Sequence, residues 1–314
     1  MKFHTLLFAA GMLALIPAAA HAKIERIVEK TFNVQPGGLL KVETHGGEIR
    51  IETSATATSV HVVAREKIRA STEAEADERL KKLSLVMEQR PDGVVASAAY
   101  ERGSSFTITG FWPPVQVDFT VTVPAAYNVE LKTSGGDVTV GDLQGRVTAR
   151  TSGGDITLGS ITGDIRAGTS GGNVRLAEGR GAVKLGTSGG NITVGHAVGP
   201  TDLDTSGGDI EIDSVENTLQ ASTSGGDVTA GIAGSLRGDC RLGTSGGRVR
   251  VTVDKTARFA LDASTSGGGV DAAGLTITID KGGAGHNRLS GQVNGGGPLL
   301  HLRSSGGEIE IRTR

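Results

Sequence analysis

The sequence predicts an all-β chain: a single-stranded parallel β-solenoid (β-helix) with coils of about 18 residues and a small inserted strand–helix lobe. Three observations carry this prediction. A Thr-Ser-Gly-Gly pattern begins at Thr133, Thr151, Thr169, Thr187, Thr205, Thr223, Thr244 and Thr265, with relatives at Thr44 (Thr-His-Gly-Gly) and Ser304 (Ser-Ser-Gly-Gly). The first six full copies are 18 residues apart and the next two intervals are 21, a spacing that marks a geometric repeat. Apolar residues hold fixed offsets around each copy, as a stack of identical coils requires.

With each Thr as position zero, the offsets read as strands. Position −4 holds Val129, Val147, Ile165, Val183, Thr201, Leu219, Cys240 and Leu261, and position −2 holds only Leu or Ala. Positions +5 and +7 hold Val, Ile, Leu or Ala throughout, from Val138 and Val140 to Val270 and Ala272. Thus −4, −2 and 0 alternate inward on one strand, and +5 and +7 on the next. The Gly-Gly between them is the turn: Gly135-Gly136, Gly153-Gly154, Gly171-Gly172, Gly189-Gly190 and Gly207-Gly208 in the regular coils. Glycine suits it through positive φ or through close approach of neighbouring backbones. Glycines near +8 and +12 suggest a further corner, with Leu143 and Ile161 as single inward residues of a short third side. Stacked ~4.8 Å apart, about nine coils make a rod roughly 40–45 Å long. The eight threonines then form an inward hydroxyl ladder. A left-handed hexapeptide helix would need an aliphatic every six residues, and antiparallel hairpins would give no reason for every second turn to match.

The organisation along the chain follows from where the period breaks. Residues 1–22 read as a secretion signal: Lys2 and His4, an apolar run from Leu6 to Leu15, then Ala20-His21-Ala22 as a cleavage site. Residues 23–53 are expected to supply the first strands and coil, because Leu40, Val42, Ile49 and Ile51 keep the repeat offsets around Thr44. Residues 54–126 form an inserted cap or side lobe. It would hold strands at Val60–Ala64, Ser84–Glu88, Val94–Tyr100 and Val115–Val123, a helix within Ser71–Leu83, and loops at Arg65–Ser71 and Glu101–Ser105. Such a lobe would cover the open end of the solenoid, where a strand edge is otherwise unpaired. Residues 127–314 carry the repeats. A strand is expected at Leu275–Asp280, turns at Lys281–Gly285 and Gly295–Gly297, and a last repeat strand ending at Arg314, with no anchoring helix or sorting tail.

Composition narrows the function. Lys plus Arg total 32 against 34 Asp plus Glu, with both signs scattered, so no basic field for nucleic acid is expected. No later stretch approaches the ~20 apolar residues of a membrane span. Cys240 is the only cysteine, which excludes an internal disulfide, and its place in the −4 row makes it a buried apolar filler. Asp202, Asp204, Asp209, Glu211 and Asp213 form the densest carboxylate group, but all fall on outward offsets. A glycosidase pair would need one protected acid, which the sequence does not show. Position +4 repeats Asp137, Asp155, Asn173, Asn191, Asp209 and Asp227, a row suited to turn-side hydrogen bonds and less so to calcium. The histidines at 45, 61, 196, 286 and 301 have no ligand spacing.

The signal, the lone early Gly-Gly coil, the lobe, the Val115–Pro124 strand, the serial Thr-Ser-Gly-Gly-Asp units and Val293-Asn-Gly-Gly-Gly297 come in a recognisable order. In this the chain resembles a bacterial family of secreted β-strand-repeat proteins provisionally named adhesins, whose domain is of unknown function. The resemblance spans nearly everything after residue 22. It implies the solenoid fold and attachment at a surface, and it brings no catalytic residue.

The sequence therefore predicts a non-enzymatic, exported binding or structural module of the cell envelope, adhesin-like, in the periplasm or at the cell surface. Its expected partner is an envelope protein or glycan of unknown identity, with no cofactor, metal or nucleic acid. Two other functions stay open. One is a carbohydrate-active β-helix enzyme using Asp202, Asp204, Asp209 or Glu211. The other is an accessory protein of envelope stress or signalling.

Overall fold

The computed structural model describes residues 23–100 and 113–314. The expected secretion signal, the Glu101–Ser105 loop, and Phe106, Phe111 and Trp112 lie outside them.

Each coil gives one strand to each of two long sheets. In the coil of Thr151, strand Val147–Arg150 leads through the Gly-Gly turn to strand Ile156–Ile161. Coils pair in parallel at the offset of the repeat. Val129, Val147, Ile165, Val183, Thr201 and Leu219 follow one another across one sheet. Val138, Ile156, Val174, Ile192, Ile210 and Val228 do so across the other. Inward positions −4, −2, 0, +5 and +7 are buried in the regular coils. The short third side is not separate. From Thr151 to Thr205 the second strand runs on to +10, so buried Ile161 continues it and bridges buried Leu143 of the preceding coil.

The turn corrects one expectation. In the Thr-Ser-Gly-Gly turns from Thr151 to Thr223, neither glycine has positive φ. The second glycine is required by contact between coils instead. A Cβ on Gly154, Gly172, Gly190 or Gly208 would lie 2.0–2.1 Å from the carbonyl oxygen of the equivalent glycine one coil back. The first glycine is looser: a Cβ on Gly171, Gly189 or Gly207 would meet nothing nearer than 3.5 Å.

That close approach sets up the hydrogen bonds of the ladder. The hydroxyls do not bond to one another. Each donates to the second-glycine carbonyl of the coil before: Thr151 to Gly136, Thr169 to Gly154, Thr187 to Gly172, Thr205 to Gly190 and Thr223 to Gly208, at 2.8–2.9 Å. The same oxygen accepts the second-glycine N–H of its own turn at 3.3–3.4 Å. Ser304 makes both contacts without the methyl. Outside the turn, each +4 side chain accepts the backbone N–H of the next coil's +4 residue. The chain of acceptors runs Asp137, Asp155, Asn173, Asn191, Asp209, Asp227. The N–H that donates to Asp155, from Asn173, is the main reason its carboxyl lies below the ordinary range.

The N-terminal end is closed by antiparallel strands on both sheets. Val115–Pro124 pairs in parallel with Ile49–Ser54 and antiparallel with Ser59–Arg69, whose outer neighbour is Lys23–Asn33. Lys23–Asn33 thus lies with the cap strands at the sheet edge. Gly93–Tyr100 pairs with Leu39–Glu43, and Leu83–Arg90 closes that side. The loop expected at Arg65–Ser71 is strand as far as Arg69, because Glu66 and Ile68 continue the inward alternation. The helix is Glu73–Leu80, with Thr72 as N-cap accepting from the Glu75 N–H. Glu66 is 6% exposed, and no hydrogen bond to its carboxyl is made among the described residues. The facing Arg26 is held by Glu73 and Asp77 of the helix at 2.9 and 2.7 Å. Burial therefore raises the Glu66 carboxyl, with Arg26 opposing.

At the other end, chain order and stacking order part. The final repeat, Leu299–Ser304 and Ile309–Thr313, lies between the coils of Thr244 and Thr265. The coil of Thr265 is thus outermost, and Thr265 donates to Gly307. Its exposed side in one sheet is covered by a hairpin, Arg288–Val293 and Ile277–Gly285. The segment Lys281–Gly285, expected as a turn, is the irregular end of that hairpin strand, with the register shifting between Ile279 and Ala284. The strand expected at Leu275–Asp280 is therefore present but runs on to Gly285, where glycines remove the alternation that marks a strand.

Three outcomes test this account. Gly190→Ala is expected to cost about 3 kcal/mol or more by forcing backbone apart, while Gly189→Ala stays within about 0.5 kcal/mol; urea melts of both variants compare them. Thr205→Val, although isosteric, is expected to lose about 1–3 kcal/mol by stranding the Gly190 carbonyl, whereas Thr205→Ser keeps the bond and loses only its methyl contacts, about 0.8 kcal/mol. Glu66→Gln is expected to stabilise the fold by about 1 kcal/mol at neutral pH. The raised carboxyl makes wild-type stability complete below the ordinary Glu range and diminished as pH rises through the folded value. The advantage of the variant must therefore vanish in acid, and urea midpoints measured across pH decide it.

Candidate functional site

Side chains facing away from the core stand in rows, since each outward position lies beside its counterpart in the next coil. On the sheet holding Val147–Arg150, position −3 presents Thr148, Arg166, Lys184, Asp202 and Gln220 in order. Position −1 presents Arg150, Gly168, Gly186, Asp204 and Ser222. Gly168 and Gly186 carry no side chain, so the surface sinks between the flanking rows. Two adjoining depressions result, of about 490 and 470 Å³, sharing Arg166, Lys184 and Asp202. Arg146 and Thr148 line the first, and Arg150, Gly168, Gly186 and Asp204 the second.

Charge in this groove is uneven. Lys184 is paired with Asp202, and Asp204 accepts from Ser222 at 2.6 Å. The exposed guanidiniums of Arg146, Arg150 and Arg166 have no ion pair or hydrogen bond among the described residues. Elsewhere on the same sheet several outward charges are paired, although exposed Arg241 has no ion pair among the described residues. Lys41 meets Glu130, Lys132 meets Glu43, and Arg303 meets Asp262. Two free cations, Arg150 and Arg166, therefore border a floor made by two glycines, and Arg146 lines the adjoining depression. The sequence carried the signal, in basic residues at −3 and −1 beside glycines at −1, but a balanced overall charge hid it.

The other predicted residues do not form a site. Asp202 and Asp204 face outward from strand Thr201–Asp204, Asp209 lies in the following turn, and Glu211 and Asp213 belong to strand Ile210–Val215 of the opposite sheet. The five carboxylates are thus divided between two faces. Cys240 is fully buried, and burial pushes its thiol up. The histidines are dispersed: His61 contacts Thr31, His196 lies 3.0 Å from Glu216, and His301 lies 3.4 Å from Asp262. Burial and then Arg303 lower the His301 imidazole, while Arg303 lowers Asp262. The Tyr127 hydroxyl is buried without a partner among the described residues, but its ring packs against Gly38 in the cap, away from the groove. No described helix is long and apolar enough to cross a membrane.

Similarity to known proteins follows the architecture. No curated protein matches the sequence. Among solved structures, the chain is similar to a provisionally named adhesin of Bacteroides fragilis NCTC 9343, at 14% identity and a TM-score of 0.42, over 91% of this chain and 97% of that one. It is also similar to one from Parabacteroides merdae ATCC 43184, at 10% identity and 0.34, over 91% and 96%. A provisionally named lipid binding protein of Parabacteroides distasonis ATCC 8503 gives 11% identity and 0.34, over 91% and 96%. The family model described as Toastrack DUF4097 matches residues 39–312, from the first coil strand through the lobe and the serial coils into the last strand. The chain belongs to the Toastrack DUF4097 family.

Proposed function

We propose that the protein is a non-enzymatic, adhesin-like binding module exported to the cell envelope. One observation carries this: a broad, shallow groove lies on a sheet whose backbone is fixed coil by coil, with its polar groups in rows rather than converging on a point. Such a surface suits many weak contacts along an extended partner. Catalysis needs a positioned acid, base or nucleophile. The groove carboxylates are instead held in place, Asp202 by Lys184, Asp204 by Ser222 and Asp164 by the Ala182 N–H. The enzyme reading is disfavoured by the same geometry, because Asp202 and Asp204 face away from Glu211 across the core. Export rests on the signal-like residues 1–22.

Fractionation and sedimentation test this. The full chain expressed in a Gram-negative host is expected to reach the envelope fractions, and a chain lacking residues 2–22 to remain in the cytosol. Purified protein is expected to pellet with isolated envelopes. The proposal fails if the protein stays in the supernatant. It also fails if a polysaccharide panel shows turnover that Asp202→Asn or Asp204→Asn abolishes.

A further inference from the structure

Within that reading, the groove specifies a class of ligand. Arg150 and Arg166 project from neighbouring coils beside the Gly168–Gly186 floor, Arg146 stands on the coil of Arg150 in the adjoining depression, and the three charges have no partner among the described residues. Cations clustered on two neighbouring coils without a partner of their own fit an anionic ligand. Arg166 lies one coil along the stack from Arg146 and Arg150, a step of the strand spacing, ~4.8 Å. This is close to the length of one sugar ring in an extended polysaccharide. The floor has no side chains, so a ring can approach the sheet closely. Thr148 and Gln220 offer hydroxyl and amide groups to neutral sugar hydroxyls beside the charges. The groove has no aromatic side chain on which a nucleic-acid base could stack. It also has no exposed large apolar residue to enter a bilayer; the exposed large apolar residues, Ile27 and Ile279, lie near the two ends of the molecule.

We infer that this groove binds an acidic glycan chain, its carboxylate or phosphate groups held by Arg150 and Arg166 with Arg146 alongside, and its rings laid across Gly168 and Gly186. Recognition is by charge, so affinity weakens with salt.

Binding of the purified chain to polygalacturonate (carboxylate) and phosphomannan (phosphate) is measured by calorimetry, with neutral dextran and phosphatidylglycerol vesicles alongside. Binding to at least one acidic glycan is expected, with none to dextran and weaker binding as salt rises. Arg150→Glu/Arg166→Glu is expected to weaken it about tenfold or more. Arg65→Glu/Arg69→Glu, an equal charge change at exposed positions of the cap, should leave it unaltered. If the Glu pair misfolds by circular dichroism, Arg150→Gln/Arg166→Gln replaces it, with a smaller loss of the same sign. The inference is overturned if neither glycan binds, if the cap variant loses as much as the groove variant, or if vesicles alone bind. Envelope sedimentation without acidic-glycan binding would sink this inference and leave the broader module standing.

Discussion

Backbone contact at the second glycine of each turn is the constraint on which the molecule depends. There the carbonyl of one coil lies where any side chain of the next would need its Cβ. Only glycine lets the two turns nest, and only once nested can the threonine hydroxyl reach that carbonyl. The pair is mutually dependent. Without the glycine the coils separate, and without the hydroxyl a carbonyl at the core boundary loses its donor, a loss of about 1–3 kcal/mol per coil. The +4 Asp and Asn side chains complete the turn from outside, each accepting the next coil's N–H. Like charges stacked in a row would repel, but each carboxylate here meets a donor before its neighbour, and two Asn interrupt the row.

This is why the architecture was legible in the sequence while its ends were not. A parallel stack repeats its environment, so one turn chemistry must recur at one interval, and the Thr and Gly of Thr151 and Gly154, with Asp or Asn at the place of Asp155, recur in the regular coils that follow. The reason for the glycine was less legible, since positive φ and close approach demand the same residue. At Gly46 in the first coil φ is 82°, whereas in the regular coils only the approach matters. Periodicity also gives sequence order but not stacking order. Ser304 has the same offsets whether its coil is last or inserted, and nothing local to Leu299–Ser304 distinguishes the two neighbours it acquires. Of the hairpin beyond Thr265, the strand at Leu275–Asp280 was legible, but its continuation was hidden because Gly282, Gly283 and Gly285 carry no alternation.

Insertion of the last repeat has a structural consequence. Until Leu299–Ser304 and Ile309–Thr313 are in place, the coils of Thr244 and Thr265 have no contact across the gap, and Gly247 has no hydroxyl donor. The C-terminal repeat contributes burial of Leu300, Leu302, Ile309 and Ile311 and joins the outer coil to the stack. Its position makes the end of the solenoid depend on contacts distant in sequence. The regular coils instead depend on neighbours 18 residues away.

The groove follows from the same register that builds the core. In-register stacking aligns the outside as strictly as the inside, so two successive glycines at −1 become a continuous floor and basic residues of two neighbouring coils are brought beside it. Neither feature is visible as a local motif, because Arg150, Arg166 and Gly186 are separated by whole coils in the chain. The same strictness argues against a buried catalytic centre. Inward positions are packed with Val, Ile, Leu, Ala and Thr, and outward positions are open to water, where a carboxylate such as Asp202 keeps its ordinary role as an ion-pair partner. A surface of this kind gains strength by repetition, each coil adding a modest contact.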